Sequence, residues 1–158
     1  MNIWVAIFLF LHVMGAIIAF GPTYSFMIIG KMAGQEPQHA NFAARVTEAI
    51  TDQRVLPLAV FQGVTGIALI LVTGINLLAT KWLLLGIGLY VIALGYGLFV
   101  QRPVSLRIIE LGSTPPPPGA SGPPPELMAA VQKAQRGGMI LGLLIVAIVI
   151  LMVTKPQF

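Results

Sequence analysis

Four long apolar stretches set the terms for this chain: Ile3–Ile29, Val55–Ala79, Trp82–Val100 and Gly138–Thr154. Each is close to the length a helix needs to cross a hydrocarbon layer of about 30 Å, at about 1.5 Å of rise per residue. None of the four contains Asp, Glu, Lys or Arg. Of the 158 residues, 57% are hydrophobic and only 9% charged. Four helices without a charged face cannot be covered by so little polar surface in water. The expectation is an all-α polytopic membrane protein: a four-transmembrane-helix bundle with one amphipathic interfacial helix, forming a single membrane domain over residues 1–158.

The charges report topology. All nine Lys and Arg residues lie outside the apolar stretches. Lys31, Arg45 and Arg54 fall in the first connection, and Arg102, Arg107, Lys133 and Arg136 in the third. Only Lys81 and Lys155 fall on the other side. Seven against two places segments 30–54 and 101–136 in the cytoplasm and both termini outside, as expected of a multi-pass inner (plasma) membrane protein. Trp4 and Trp82 then share the outer headgroup level, which indole rings favour. The net charge of +4 thus belongs to helix ends, and a nucleic-acid partner is not indicated. Met1-Asn2-Ile3-Trp4 lacks the basic start of a cleavable signal, so the first stretch is expected to remain as a helix. The absence of cysteine excludes disulfides, iron–sulfur clusters and thiolate ligation of haem.

Local signals divide the rest. Gly21-Pro22 interrupts the first helix, because proline removes a backbone donor and crowds the preceding turn. Gly34, Glu36-Pro37 and Gln38 read as a turn. From His39 to Arg54, Phe42, Val46, Ala49 and Ile50 recur at helical spacing. This is an amphipathic helix, lying at the cytoplasmic interface or extending the second span inward. Thr80-Lys81 is a tight turn making spans two and three antiparallel neighbours. Residues 112–125 form a proline-rich loop, with Pro115–Pro118 and Pro123–Pro125 favouring extended backbone. Pro125 and Glu126 suit a helix start, so the fourth helix is expected over 126–154.

Little remains that could carry chemistry. His12 is the one imidazole inside an apolar stretch, and an ionisable side chain at that depth is costly unless it faces protein. Neutral imidazole ligates haem iron, copper or zinc, and it equally serves as a hydrogen-bonding group between helices. Counting inward from the outer helix ends brings Thr73 and Tyr90 to the level of His12. They are the expected surroundings of that ring, with Gln62 and Tyr96 in a second layer nearer the cytoplasm. No carboxylate lies in any span, which argues against the usual proton or cation relay.

The segment Phe10-Leu11-His12-Val13-Met14-Gly15-Ala16, continued by Phe20-Gly21-Pro22, resembles the predicted integral membrane proteins grouped as domain-of-unknown-function family 2269. These are small four-span proteins with a Leu-His-x-x-Gly-Ala first helix. More distantly, the opening is similar to the copper-resistance D proteins and the membrane-bound protoporphyrinogen oxidases. Both begin with a histidine-bearing helix, and the second family is associated with haem b. Of their features, only His12 carries over by position. The reading is a non-enzymatic structural or accessory subunit, with lipid and other membrane subunits or copies of itself as partners. The alternative is a redox protein binding haem b or a metal, with His12 as axial ligand.

Overall fold

A computed structural model describes residues 2–114 and 122–157. The chain forms four long helical rods, each long and apolar enough to cross a membrane: α1 (Ile3–Gln35), α2 (Pro37–Thr73), α3 (Lys81–Gly112) and α4 (Pro125–Thr154). The run Pro115–Pro118 lies outside the described residues. With 33, 37, 32 and 30 residues, the rods are about 45–55 Å long and overreach a hydrocarbon layer of about 30 Å. The excess projects at one end, where seven basic residues collect. That end is called the basic end, and the opposite one, carrying the α2–α3 connection, the turn end.

The rods outrun the apolar stretches that announce them. α1 continues to Gln35, and Glu36 provides the break before Pro37. Of the two placements open to His39–Arg54, the chain adopts the extension, because this segment runs into the second span as one helix. α3 likewise carries on past Val100 to Gly112. One rod is shorter than expected. α2 stops at Thr73, where Gly74 takes φ +64° and its N–H closes the last turn on the Ile70 carbonyl. A left-handed residue here ends the helix at little cost only because it is glycine. Residues 74–80 therefore form the connection, and Asn76 accepts the Ala79 N–H at 3.2 Å within it.

Packing follows chain order, α1 on α2, α2 on α3 and α3 on α4. The interior is small and polar: Ala19 is 0% exposed and Thr65 2%. The large apolar side chains point outward, as with Leu71 at 75% and Phe99 at 81% exposure. Such a surface is unsustainable in water and natural against lipid tails.

The regular hydrogen-bond ladder breaks at one level in three rods. In α1 it tightens to a 3₁₀ turn over Gly21–Tyr24, and the Thr23 hydroxyl donates to the Phe20 carbonyl at 2.6 Å. In α2 and α3 it widens to π turns over Thr51–Val55 and Gly97–Gln101. Leu56 N–H reaches back five residues to Thr51, and Arg102 N–H five residues to Gly97. The residue after each donor is a proline, Pro57 or Pro103. Neither can donate to the carbonyl four residues earlier, and the turn loosens in response. Cross-contacts put the breaks in register. Asp52 meets Arg102, and Gln101 meets Gly137, which opens the Gly137-Gly138 pair of α4.

Candidate functional site

His12 stands three turns into α1, facing α2. Its Nδ1 lies 2.9 Å from the Thr65 hydroxyl. That hydroxyl has one hydrogen and two carbonyls in reach, Phe61 and Gln62, each at 3.1 Å. A threonine donating back to its own helix is left with oxygen lone pairs, so it accepts from Nδ1–H. The Thr65 hydroxyl can also donate, so Nδ1 carries the proton in the tautomer where that hydroxyl keeps its hydrogen for its own helix. Nε2 makes no hydrogen bond among the described residues.

Glycines make the site close. A Cβ on Gly66 would sit 3.3 Å from His12 Cε1, so the ring rests on bare backbone. One turn toward the basic end the arrangement is reversed: a Cβ on Gly15 would lie 2.9 Å from Gln62 Oε1 and 3.3 Å from the Phe61 ring. Each helix offers a bulky polar group to the other's glycine. Gln62 is 8% exposed, and its Oε1 has no N–H or O–H donor. Its neighbour is the Gly15 backbone, where a Cα–H is the available weak donor.

The expected surroundings of His12 come apart here. Thr65, not Thr73, meets the imidazole. Thr73 is exposed and donates to its own helix, to the Leu69 carbonyl at 2.6 Å. Tyr90 donates to the Ala59 carbonyl at 2.8 Å, crossing from α3 to α2 through the gap left by Gly63. Ala59 precedes Thr65 on α2 by about 9 Å, at about 1.5 Å per residue, and so lies nearer the basic end. The expected Gln62–Tyr96 layer also dissolves, because Gln62 turns to Gly15 while the Tyr96 hydroxyl lies beside Gly137. The cause is the helix end at Gly74. Counting from Ala79 misplaces the level by six residues, about 9 Å, whereas counting from Thr73 lands on Thr65.

A second polar cluster ties the basic end together and was not singled out by the sequence. Arg102 on α3 reaches Asp52 at 2.6 Å and Glu48 at 3.4 Å, both on α2. Glu48 is only 9% exposed. Nearby, the Asn41 amide donates to the Ile109 carbonyl at 2.9 Å, and the Gln101 amide to the Ala134 carbonyl at 3.0 Å. No apolar periodicity could announce these pairs, since each joins residues some 30 to 70 positions apart.

What can this geometry do? Among the described residues no group of three His, Cys, Asp or Glu side chains could hold a metal ion. His12 offers a single, firmly oriented nitrogen. That falls short of the donor set a protein-built metal cage needs.

The family model described as predicted integral membrane protein (DUF2269) matches residues 6–156, and the chain belongs to that family. No curated protein and no solved structure matches it.

Proposed function

We propose that this member of the DUF2269 family of integral membrane proteins is a non-enzymatic structural or accessory subunit, assembled with other membrane subunits or with copies of itself. The observation that carries this reading is the use made of glycine. Gly15, Gly63, Gly66, Gly86 and Gly137 each lie against a side chain of another rod. Gly88, Gly95 and Gly97 on α3 and Gly138 and Gly142 on α4 have nothing within 4 Å of where a Cβ would be. Gly138 and Gly142 stand four apart on α4, the spacing at which two helices in lipid approach closely. Glycine in an open helix face otherwise lowers helix stability by roughly 0.5–1 kcal/mol relative to alanine. A neighbouring helix would give these open positions a purpose. The basic residues support an orientation with the basic end in the cytoplasm of a plasma membrane and both termini outside.

The test is the size of the assembly extracted in mild detergent. Under this reading it migrates well above one chain, and Gly138→Ile with Gly142→Ile reduces it to the monomer while helicity is retained. A wild-type monomer in native membranes refutes the reading.

A second reading is supported by one observation. Nδ1 of His12 is paired with the Thr65 hydroxyl and Nε2 has no partner among the described residues; with the proton on Nδ1, Nε2 would be free to ligate haem iron. Haem b would be held by His12 of one copy, or of two copies across a dimer. A Soret band lost in His12→Ala and shifted in Thr65→Val would support it. A colourless preparation in which both substitutions only lower stability would count against it.

A further inference from the structure

The ion pairs of this protein are unevenly shared. All five of its carboxylates have a partner within 4.0 Å: Glu36 has His39, Glu48 and Asp52 share Arg102, and Glu110 and Glu126 share Arg107. Two arginines thus absorb four carboxylates. At the basic end Lys31, Arg45, Arg54, Lys133 and Arg136 have no carboxylate within that distance among the described residues. Only Glu36 remains uncommitted to an arginine, its His39 contact being an ion pair only while that imidazole is protonated, so most of the counter-charge for these five cations comes from outside.

Two of these cations form a structured pair. Lys133 and Arg136 are three residues apart on α4, on one face of the helix. Ala134 and Gly137 point at α3, where Gln101 holds the Ala134 carbonyl and packs on Gly137. Lys133 and Arg136, each one residue earlier, lie roughly 100° round the helix, and both are exposed. The same flank continues toward the turn end as bare apolar surface, with Met139 57%, Ile140 45% and Leu143 71% exposed. Counted from Thr154, Arg136 and Lys133 lie about 27 and 31 Å along the helix. That is the level at which a hydrocarbon layer of about 30 Å gives way to headgroups. A cationic pair at headgroup level, leading into an open apolar ridge, has the polarity of a phospholipid: phosphate at one end and acyl chain along the other.

We infer that this flank of α4 is a site for one anionic phospholipid, its phosphate held between Lys133 and Arg136 and its acyl chain lying along Met139, Ile140 and Leu143. The site is independent of the subunit reading, since it uses a flank of a single chain. Arginine gives the phosphate a planar pair of donors and lysine adds a second charge. A zwitterionic lipid brings its own cation to the same place and is held less well. Long-chain residues at this level often reach bulk headgroups without selecting one lipid. The distinguishing property of a site is retention after the bilayer has been removed.

Native mass spectrometry of the full chain, extracted in mild detergent and mixed with phosphatidylglycerol or phosphatidylcholine, makes the comparison. Phosphatidylglycerol should remain bound as one adduct per chain, and phosphatidylcholine should not. Lys133→Gln with Arg136→Gln should lower its retention about tenfold. Lys31→Gln with Arg45→Gln should leave it unchanged. If the neutralised variant proves poorly folded by circular dichroism, Lys133→Arg with Arg136→Lys keeps the charge and should keep the adduct. Salt should then weaken retention by the wild type. Equal retention of the two lipids overturns the site. So does an adduct that survives neutralisation of Lys133 and Arg136, or one that ignores salt.

Discussion

At the scale of single residues, the interface between α1 and α2 is a set of reciprocal fits. His12 rests on Gly66, while Gln62 and Phe61 rest on Gly15. Gly15→Ala would put a methyl group 2.9 Å from Gln62 Oε1. Such overpacking typically costs about 1–3 kcal/mol, and reversible unfolding in detergent mixtures should register that loss. Gln62→Met should behave differently. Its Oε1 has no conventional donor, and replacing an unsatisfied buried polar group by an apolar one of similar length is close to neutral or stabilising. Thr65→Val keeps the shape and removes the acceptor for His12. Polar contacts between helices in lipid are worth about 0.6 kcal/mol on average, with a maximum of about 1.7. A loss in that range is expected, and one well above it would mean that Thr65 has a further task. The identity of His12 as the lone intramembrane imidazole was legible in the sequence. Its partner was not, because the choice between Thr65 and Thr73 depends on where α2 ends.

At the scale of elements, that helix end rests on one backbone dihedral. Gly74 at φ +64° closes α2, and six residues that hydropathy assigns to the helix become a connection. A glycine inside an apolar run gives no sign of whether it packs or terminates. Gly74→Ala should cost about 1 kcal/mol through its left-handed backbone, while Gly88→Ala, where the added methyl group meets open space, should be neutral or stabilising. Thermal unfolding of the two variants makes the contrast. The inward extensions escaped the apolar pattern for another reason: outside the lipid, helices are held by specific polar ties. Arg102 bridges α3 to two carboxylates of α2. Arg102→Gln would leave Glu48, nearly buried, facing Asp52 without a cation. A loss of about 1–3 kcal/mol is expected, and Asp52→Asn alone should cost less, since Asp52 is exposed. If both substitutions prove silent, the α2–α3 contact is maintained by other groups, Asn41 foremost.

At the scale of the whole molecule, the four spans follow from hydropathy, because a hydrocarbon solvent permits little besides helices, and the pairing of α2 with α3 follows from the short connection between them. The lateral arrangement was hidden, because lipid tails and apolar side chains are interchangeable neighbours and no stripe marks the inward face. That face is instead written in glycine, threonine and glutamine. Orientation is checked by periplasmic and cytoplasmic reporters fused after Lys155: activity outside the cell is expected, and the opposite outcome would reverse the assignment of both ends. The 3₁₀ turn of α1, the π turns of α2 and α3, and the glycine pair of α4 occupy one slab across the bundle. Stiffness in a helix comes from its uninterrupted ladder of hydrogen bonds, and here three of the four struts are notched at the same height while α4 keeps its ladder whole. Bending of those three therefore concentrates in a single collar. The unbroken α4 runs through that level as a continuous post beside the three notched rods, and Gln101 ties α3 to it there.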